Sequence, residues 1–482
     1  DEALDLRPQY FDLTLEKDPE ARAREMAREH ASMPFDLGRG PLARMAVLKL
    51  GDERHVLLFN MHHIIADDWS MGVLVGEISA LYGALRQELD LAELRIQYRD
   101  YAVWQNQRLD AETDEPGRSF WISQFPDAPP ALDLHTDLPR PAVKTYCGRC
   151  VTRTLNAETT DQLRAFNQEH GASMFMTLVA SVNVLLQRYS GQEDITIGLP
   201  SAGRYHADLE GLIGFFINTL PLRMHVDEES TFLELLSRTC DRVTACLEHQ
   251  MYPIDRLIDE LDLRRDVSRN PLYDVTVTLQ NVDPYQLSLR GVTLSAFIEE
   301  YDMSKFDLSF NFQETESGLR LDITYNSDLF LHQRVERMTC HFEQVIESVL
   351  RDPGQPAAAL DILPPAERAQ VLEWCNPQTT EPRGSESLSE SLIQWFERQA
   401  LQTPDHVAVQ GAEADGQSFT YRELDERANQ LAGFLIGRGV QTGDLVGLYM
   451  DRCVDVVISM LGVLQTGAAY VPLDDMYPDE RV

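Results

Sequence analysis

The run His55–Met61 (HVLLFNM) is short and apolar, the pattern of a buried strand. A polar hinge follows. Ser70 stands where it can cap a helix, and Leu74, Ile78, Leu81 and Leu85 then recur at spacings of four, three and four, one apolar stripe of a helical period. Pro129, Pro130, Pro139 and Pro141 predict an irregular connection over 127–143. Beyond it the pattern predicts a strand at 151–155 and a helix over 160–170 stopped by Gly171. An apolar helix over 173–189 then leads into a strand at 194–199. Strands alternating with helices predict an α/β sandwich.

A second connection spans roughly 353–390. It holds Pro353, Pro356, Pro364, Pro365, Pro377 and Pro382, then the polar GSES at 384–387, and reads as an interdomain linker with one short helix over 366–374. A new α/β pattern follows: a strand at 407–409, a helix over 421–438 ended by Gly439, a strand at Leu445–Tyr449 and a helix over 454–464. No internal repeat is visible.

Composition changes this picture in two places. The chain has 482 residues, room for two or more domains, with ordinary hydrophobic (43%) and charged (25%) content. Its charge is not ordinary: 42 Lys and Arg against 78 Asp and Glu, a formal net charge of −36. Such a surface repels phosphate backbones and anionic lipid, which argues against nucleic-acid and membrane partners. The seven cysteines are scattered and odd in number, so a disulfide framework is not expected and a reducing cytoplasmic location fits best. Cys147 and Cys150 form a lone Cys-x-x-Cys; with no second ligand pair nearby, no metal site is expected. The longest apolar stretch, 174–186, falls short of the ~20 residues that span a bilayer. The opening DEALD has no initiator Met and no signal-peptide pattern, and the chain ends within what reads as ordered sequence. Truncation at both ends is the expectation.

The candidate chemistry sits in MHHIIADDWS (61–70), between the strand at 55–61 and the helix start. Strand ends and the loops beyond them commonly carry functional groups. On an extended chain adjacent side chains point to opposite sides, so one of His62 and His63 faces a cleft. Alone, a histidine pair with a nearby aspartate more often marks packed or surface residues than a catalytic site.

The spacing resembles the His-His-x-x-x-Asp-Gly signature of condensation domains and chloramphenicol acetyltransferase-like acyltransferases. Four further segments are similar to condensation-domain motifs, in the same order: YRDYAVW (98–104), IGFFINT (213–219), HQMYP (249–253) and RDVSRNPL (265–272). Each singly reads as core packing or a capped turn; five in order are specific. Downstream, FTYREL (419–424) and LQTGAAYVPLD (464–474) look like the opening motifs of an adenylation domain, and the Gly- and Ser/Thr-rich phosphate loop of that family is not present.

The resemblance implies a fragment of a nonribosomal peptide synthetase. Its expected fold class is α/β: a two-lobed chloramphenicol acetyltransferase-like condensation fold, then a truncated α/β adenylation domain of the acyl-CoA synthetase type. Residues 1–135 would be the first lobe, incomplete at its start, 136–352 the second lobe, 353–390 the linker and 391–482 the adenylation start. The implied reaction is amide formation between a donor acyl thioester and an acceptor α-amine, both on phosphopantetheine arms of upstream and downstream carrier domains. No cofactor is expected on this chain itself; ATP and magnesium belong to a complete adenylation domain. The resemblance makes His63 the catalytic residue, as general base or as the group that orients the amine. His62 becomes structural. Asp67 would pair with an arginine, for which Arg204 in GLPSAGR (198–204) is the candidate, and Trp69 would pack near the tunnel between the lobes. One departure stands out: Asp68 occupies the signature's Gly position, where Gly would permit close approach of an arm or a positive φ. A peptidyl epimerase (Met71, not Trp, follows Ser70), a heterocyclisation domain, a free-standing acyltransferase and a non-catalytic docking platform are the rival readings.

Overall fold

The structure, a computed structural model, describes residues 6–84, 91, 93–110, 115–263, 266–280, 289, 291–295, 297, 303–375, 391–411, 418–450 and 453–473. Leu85 of the apolar stripe, Arg265 and Asp474 of the motifs, the opening pentapeptide and residues 376–390 of the expected linker lie outside it. The chain forms two compact units, meeting between Ala369 and Gln370.

The first unit opens with β1 (Gln9–Asp12), α1 (Pro19–Ser32), β2 (Ala43–Lys49) and β3 (His55–Met61). These strands make a three-stranded sheet in that order, β1 parallel and β3 antiparallel to β2. Ala23, Ala46, Leu48 and Val56 bury its core. After β3 come α2 (Asp68–Gly83), α3 (Tyr98–Asp110) and α4 (Glu115–Gln124). The helix α2 starts three residues earlier than a Ser70 cap would have it. Its N-cap is Asp67, whose side chain accepts from the Ser70 N–H, and Ser70 is the one fully buried residue of the helix. The apolar stripe is only half covered, and Leu81 is exposed.

The larger core surrounds a six-stranded sheet of order β4-β9-β8-β7-β5-β6. In chain order its elements are β4 (Gly148–Asn156), α5 (Ala157–His170), α6 (Met174–Ser190), β5 (Asp194–Ser201), the one-turn α7 (Ala207–Glu210), β6 (Asn218–His225), α8 (Phe232–Glu248), α9 (Ile254–Glu260), β7 (Val275–Gln280), β8 (Leu308–Thr315), β9 (Gly318–Asn326) and α10 (His332–Arg351). Local sequence fixes the helix ends. Asn156 and Ser173 cap α5 and α6, and both helices stop at glycines in the left-handed region, Gly171 and Gly191. Phe310, Phe312, Tyr325 and Phe342 are fully buried between sheet and helices, where each large apolar side chain contributes about 1.5–3 kcal/mol. Trp121, Phe125, Leu132 and Leu134 belong to this core, so the chain enters it before residue 135. Ala357 and Leu360 belong to it too, so the first part of the connection after 353 is packed rather than free. The helix α11 (Pro365–Cys375) follows, with the Glu367 carboxylate 2.8 Å from Nε2 of the buried His341.

The second unit holds α12 (Leu392–Gln402), the antiparallel pair β10 (Val407–Gln410) and β11 (Ser418–Thr420), α13 (Tyr421–Gly437), then β12 (Leu445–Tyr449), α14 (Val454–Gln465) and β13 (Ala469–Leu473). Ser391 and Thr420 each open a helix with a reciprocal capping box. β12 and β13 pair in parallel around α14, a β-α-β unit. Among the described residues no helix is long and apolar enough to cross a membrane.

Candidate active site

The strand β3 ends at Met61, and the histidine pair lies just past it, His62 on extended backbone and His63 at the start of a turn. His62 caps a single 3-10 turn (His63–Ile65), its Nδ1 accepting from the Ile64 N–H at 3.1 Å. Its ring meets Phe35 edge-on. His63 is the first residue of the turn, and its exposed ring folds back so that Nδ1 lies 2.7 Å from the Ala66 carbonyl. Only a protonated Nδ1 can donate there, so neutral His63 carries its lone pair on Nε2. Phe215 packs edge-on against the ring at 5.2 Å. The backbone turns at His63, and the two rings meet different neighbours, Phe35 for His62 and Phe215 for His63.

Asp67 does not orient His63; its oxygens are committed elsewhere. Oδ1 accepts from the Ser70 N–H (2.9 Å), the Ser70 hydroxyl (2.6 Å) and Arg204 Nη2 (2.9 Å), and Oδ2 from the Phe216 N–H (3.1 Å). The Asp67 and Arg204 side chains are 3% and 1% exposed. Burial alone would push the Asp67 carboxyl up, but the hydrogen bonds from Ser70, Phe216 and Arg204 together outweigh it and hold the group below its ordinary value. Arg204 Nη1 donates to the Leu209 and Leu212 carbonyls, the latter at 2.8 Å, and its guanidinium lies 4.1 Å from the Phe216 ring centroid. The pair ties the segment after β3 to the loop between β5 and β6. Trp69 is half-buried; its Nε1 donates to the Glu210 carbonyl at 2.9 Å, which clips α2 to α7.

Sequence reasoning passed over three participants. Ser70, read as a cap, is a buried hub: its hydroxyl donates to Asp67 and accepts from the Gly214 N–H and Arg204. Gly214 lets Tyr98 lie flat on the 213–216 loop, where the Tyr98 hydroxyl donates to the Phe215 carbonyl at 2.8 Å. Phe216 packs among Tyr98, which meets it edge-on, Tyr101 and Arg204. The signal for all three was that their motifs occur together, since 98–104 and 213–219 form one aromatic cluster rather than two separate packing patches. A β-carbon at Gly214 would fall inside 3.0 Å of the Tyr98 ring. Gly214→Ala should therefore displace the loop that carries Phe215 and destabilise the unit by about 1–3 kcal/mol, the usual cost of overpacking. A thermal melt checks this, and an unchanged midpoint would mean that the loop yields freely.

Asp68 is the first residue of α2, and Asp262 is the one non-glycine with positive φ among the described residues. The signature's Gly position therefore needs no left-handed backbone here. The Asp68 side chain is exposed. Even so, desolvation by the protein around it, with Asp67 adjacent, raises its carboxyl above the ordinary value against a downward pull from His63. Among the described residues no metal-binding group of His, Cys, Asp and Glu occurs, and the seven cysteines are free.

Residues 1–372 of the chain match the Condensation domain family. The chain belongs to that family. Residues 396–482 match the AMP-binding enzyme family, so a condensation domain is followed by part of an AMP-binding domain. Tyrocidine synthase 3 of Brevibacillus parabrevis is 39% identical over 96% of the chain, which spans 7% of that synthase. Among solved structures, a four-domain nonribosomal peptide synthetase bound to AMP and glycine is similar over 98% of the chain and 36% of its own length, at 25% identity and a TM-score of 0.69. The X-domain from teicoplanin biosynthesis is similar over 74% of the chain and 81% of its own length, at 29% identity and a TM-score of 0.65. The mixed α/β fold, with its histidine turn at the end of β3, is thus that of a condensation domain.

Proposed function

We propose that this condensation domain forms an amide between a donor acyl or peptidyl thioester and the α-amine of an acceptor aminoacyl thioester, each delivered on the phosphopantetheine arm of a carrier domain. The observation that carries the reading is the His63 turn. An exposed imidazole, its Nδ1–H given to Ala66, leaves Nε2 free to accept a proton or a hydrogen bond. The amine nitrogen attacks the donor thioester carbon, a C–N bond forms and the C–S bond breaks. The proton lost by nitrogen is taken by His63 Nε2 and ends on the departing thiol. A free α-amino group has a pKa of about 7.7–8, so a minority is already neutral near pH 7, and a thioester is an activated acyl donor. Positioning plus a modest base therefore suffices, with about 10²–10⁴-fold from the base.

His62, Asp67, Arg204 and Trp69 act as support in this reading. They fix the turn and the helix start without touching the reacting atoms. The test uses donor and acceptor carriers loaded with thioesters: amide product on the acceptor carrier, seen by mass spectrometry, is the expected result. Hydrolysis alone, or no turnover, would overturn it.

A second reading, a non-catalytic platform that docks other proteins, is favoured by the likeness to the teicoplanin X-domain, which has been solved in complex with OxyB. The same assay separates the two readings. For residues 396–482 we propose no activation chemistry by themselves, since ATP and magnesium require the rest of an AMP-binding domain. The 482-residue chain should show no amino-acid-dependent pyrophosphate exchange with ATP and magnesium, and clear exchange would refute this.

A further inference from the structure

Phe215 and Phe216 are neighbours with opposite surroundings. Phe216 is buried among Tyr98, Tyr101 and Arg204, whereas Phe215 is 39% exposed and packs on the His63 ring. The backbone that carries Phe215 is held on both sides. The Gly214 N–H donates to the Ser70 hydroxyl at 3.1 Å, and that hydroxyl lies 2.9 Å from the Gly214 carbonyl. The Tyr98 hydroxyl donates to the Phe215 carbonyl at 2.8 Å, and the Phe216 N–H donates to Asp67 at 3.1 Å. A fixed loop therefore presents a half-covered aromatic ring to the imidazole. The two ring centroids are 5.2 Å apart and the planes nearly perpendicular, at 79°.

The imidazole needs a second constraint. Its ring hangs from the backbone by two torsions, and the bond from Nδ1 to the Ala66 carbonyl, at 2.7 Å, is exposed enough for water to compete. A ring that turns away loses Ala66, and then nothing fixes which nitrogen keeps the hydrogen or where the other nitrogen's lone pair points. A perpendicular aromatic pair resists that turning, because its attraction depends on the mutual angle of the rings. We propose that Phe215 is a positioning residue, packed across the His63 imidazole so that Nδ1 stays on Ala66 and the Nε2 lone pair faces the amine. The inference rests on the amide-forming reading of this site. The plainer alternative is that Phe215 only fills space, and an apolar side chain without a ring would do that equally well.

Two readouts on the 482-residue chain test the proposal. Ring-nitrogen NMR of histidine-labelled chain in alkaline buffer reports which nitrogen holds the proton, with His63 identified by its loss in His63→Ala. Wild type should show the Nδ1–H tautomer, Phe215→Ala and Phe215→Leu a mixture of both, and Phe215→Tyr, which keeps the ring, the wild-type form. Kinetics with a loaded donor carrier and soluble aminoacyl thioesters as acceptors supply the second readout. Phe215→Ala and Phe215→Leu should lower kcat about two- to tenfold, the fold-change an aromatic pair is worth, with acceptor KM unchanged. Phe215→Tyr should restore kcat. A wild-type tautomer in the Ala and Leu variants would overturn the proposal. So would wild-type kcat in Phe215→Leu, which would mark space-filling alone, or a raised KM at unchanged kcat, which would mean that the ring touches substrate instead. A wild-type chain that forms no amide would refute the functional reading, and the tautomer would still decide whether Phe215 positions the ring.

Discussion

His63→Ala should leave the fold and carrier loading intact and lower amide formation by about 10²-fold or more. The structural half of this expectation follows from exposure. The His63 ring is at the surface, its hydrogen bond among the described residues is to the Ala66 carbonyl, and Phe215 packs edge-on against it. Losing a hydrogen bond that water can replace costs about 1 kcal/mol or less. The 3-10 turn keeps its His62 cap and its backbone bond from the Ala66 N–H to the His63 carbonyl. The functional half follows from what an alanine cannot do: it neither accepts a proton nor orients an amine. Mass spectrometry of the acceptor carrier decides the matter, and near wild-type dipeptide would remove His63 from the mechanism. Melting temperature and donor loading are the controls that separate lost chemistry from a lost fold.

How far the sequence reveals this site depends on how far apart the deciding residues are. The ends of α5 and α6 are legible because cap and glycine stop are local: Asn156, Gly171, Ser173 and Gly191 need no distant partner. The start of α2 is not. Asp67 and Ser70 are both good caps, and a cap rule cannot choose between them. What chooses is Arg204, 137 residues away, with the Phe216 N–H, since together they pull Asp67 into the capping position and leave Ser70 buried behind it. The histidine pair is legible only in part. The chain stays extended through His62, as alternation assumes, but a 3-10 turn begins at His63 that periodicity does not foretell. The order of the six-stranded sheet was beyond reach for periodicity. β4 pairs with β9 across more than 160 residues, and nothing local encodes that register. Motif order carried the most weight because its members, 61–70, 98–104 and 213–219, meet in one hydrogen-bonded cluster.

That cluster makes Asp67→Ala and Arg204→Ala the most destabilising changes expected here. Removing one member of a buried ion pair typically costs about 3–5 kcal/mol, against about 5–15 kcal/mol holding a domain together. Each single change leaves a different residue stranded. Without Asp67, a guanidinium that is 1% exposed keeps two carbonyls and the Phe216 face but has no counter-charge. Without Arg204, the carboxylate keeps three donors from Ser70 and Phe216, while the Leu212 carbonyl loses the guanidinium and the Leu209 carbonyl keeps the Leu212 N–H. The double variant removes both charges, so its cost should be less than the sum of the two singles, and denaturant titration of all four proteins measures the difference. Acid should act in the same direction. The folded pKa of Asp67 lies below the 3.8 of a free aspartate, so the stabilisation it contributes is complete above that value and is lost as pH falls through the lower folded one. Wild type should therefore lose stability more steeply than Asp67→Ala below pH ~4. An Asp67→Ala protein that melts normally and has lost only activity would mean that the aspartate serves the reaction directly, and the structural role given to Arg204 would fall with it.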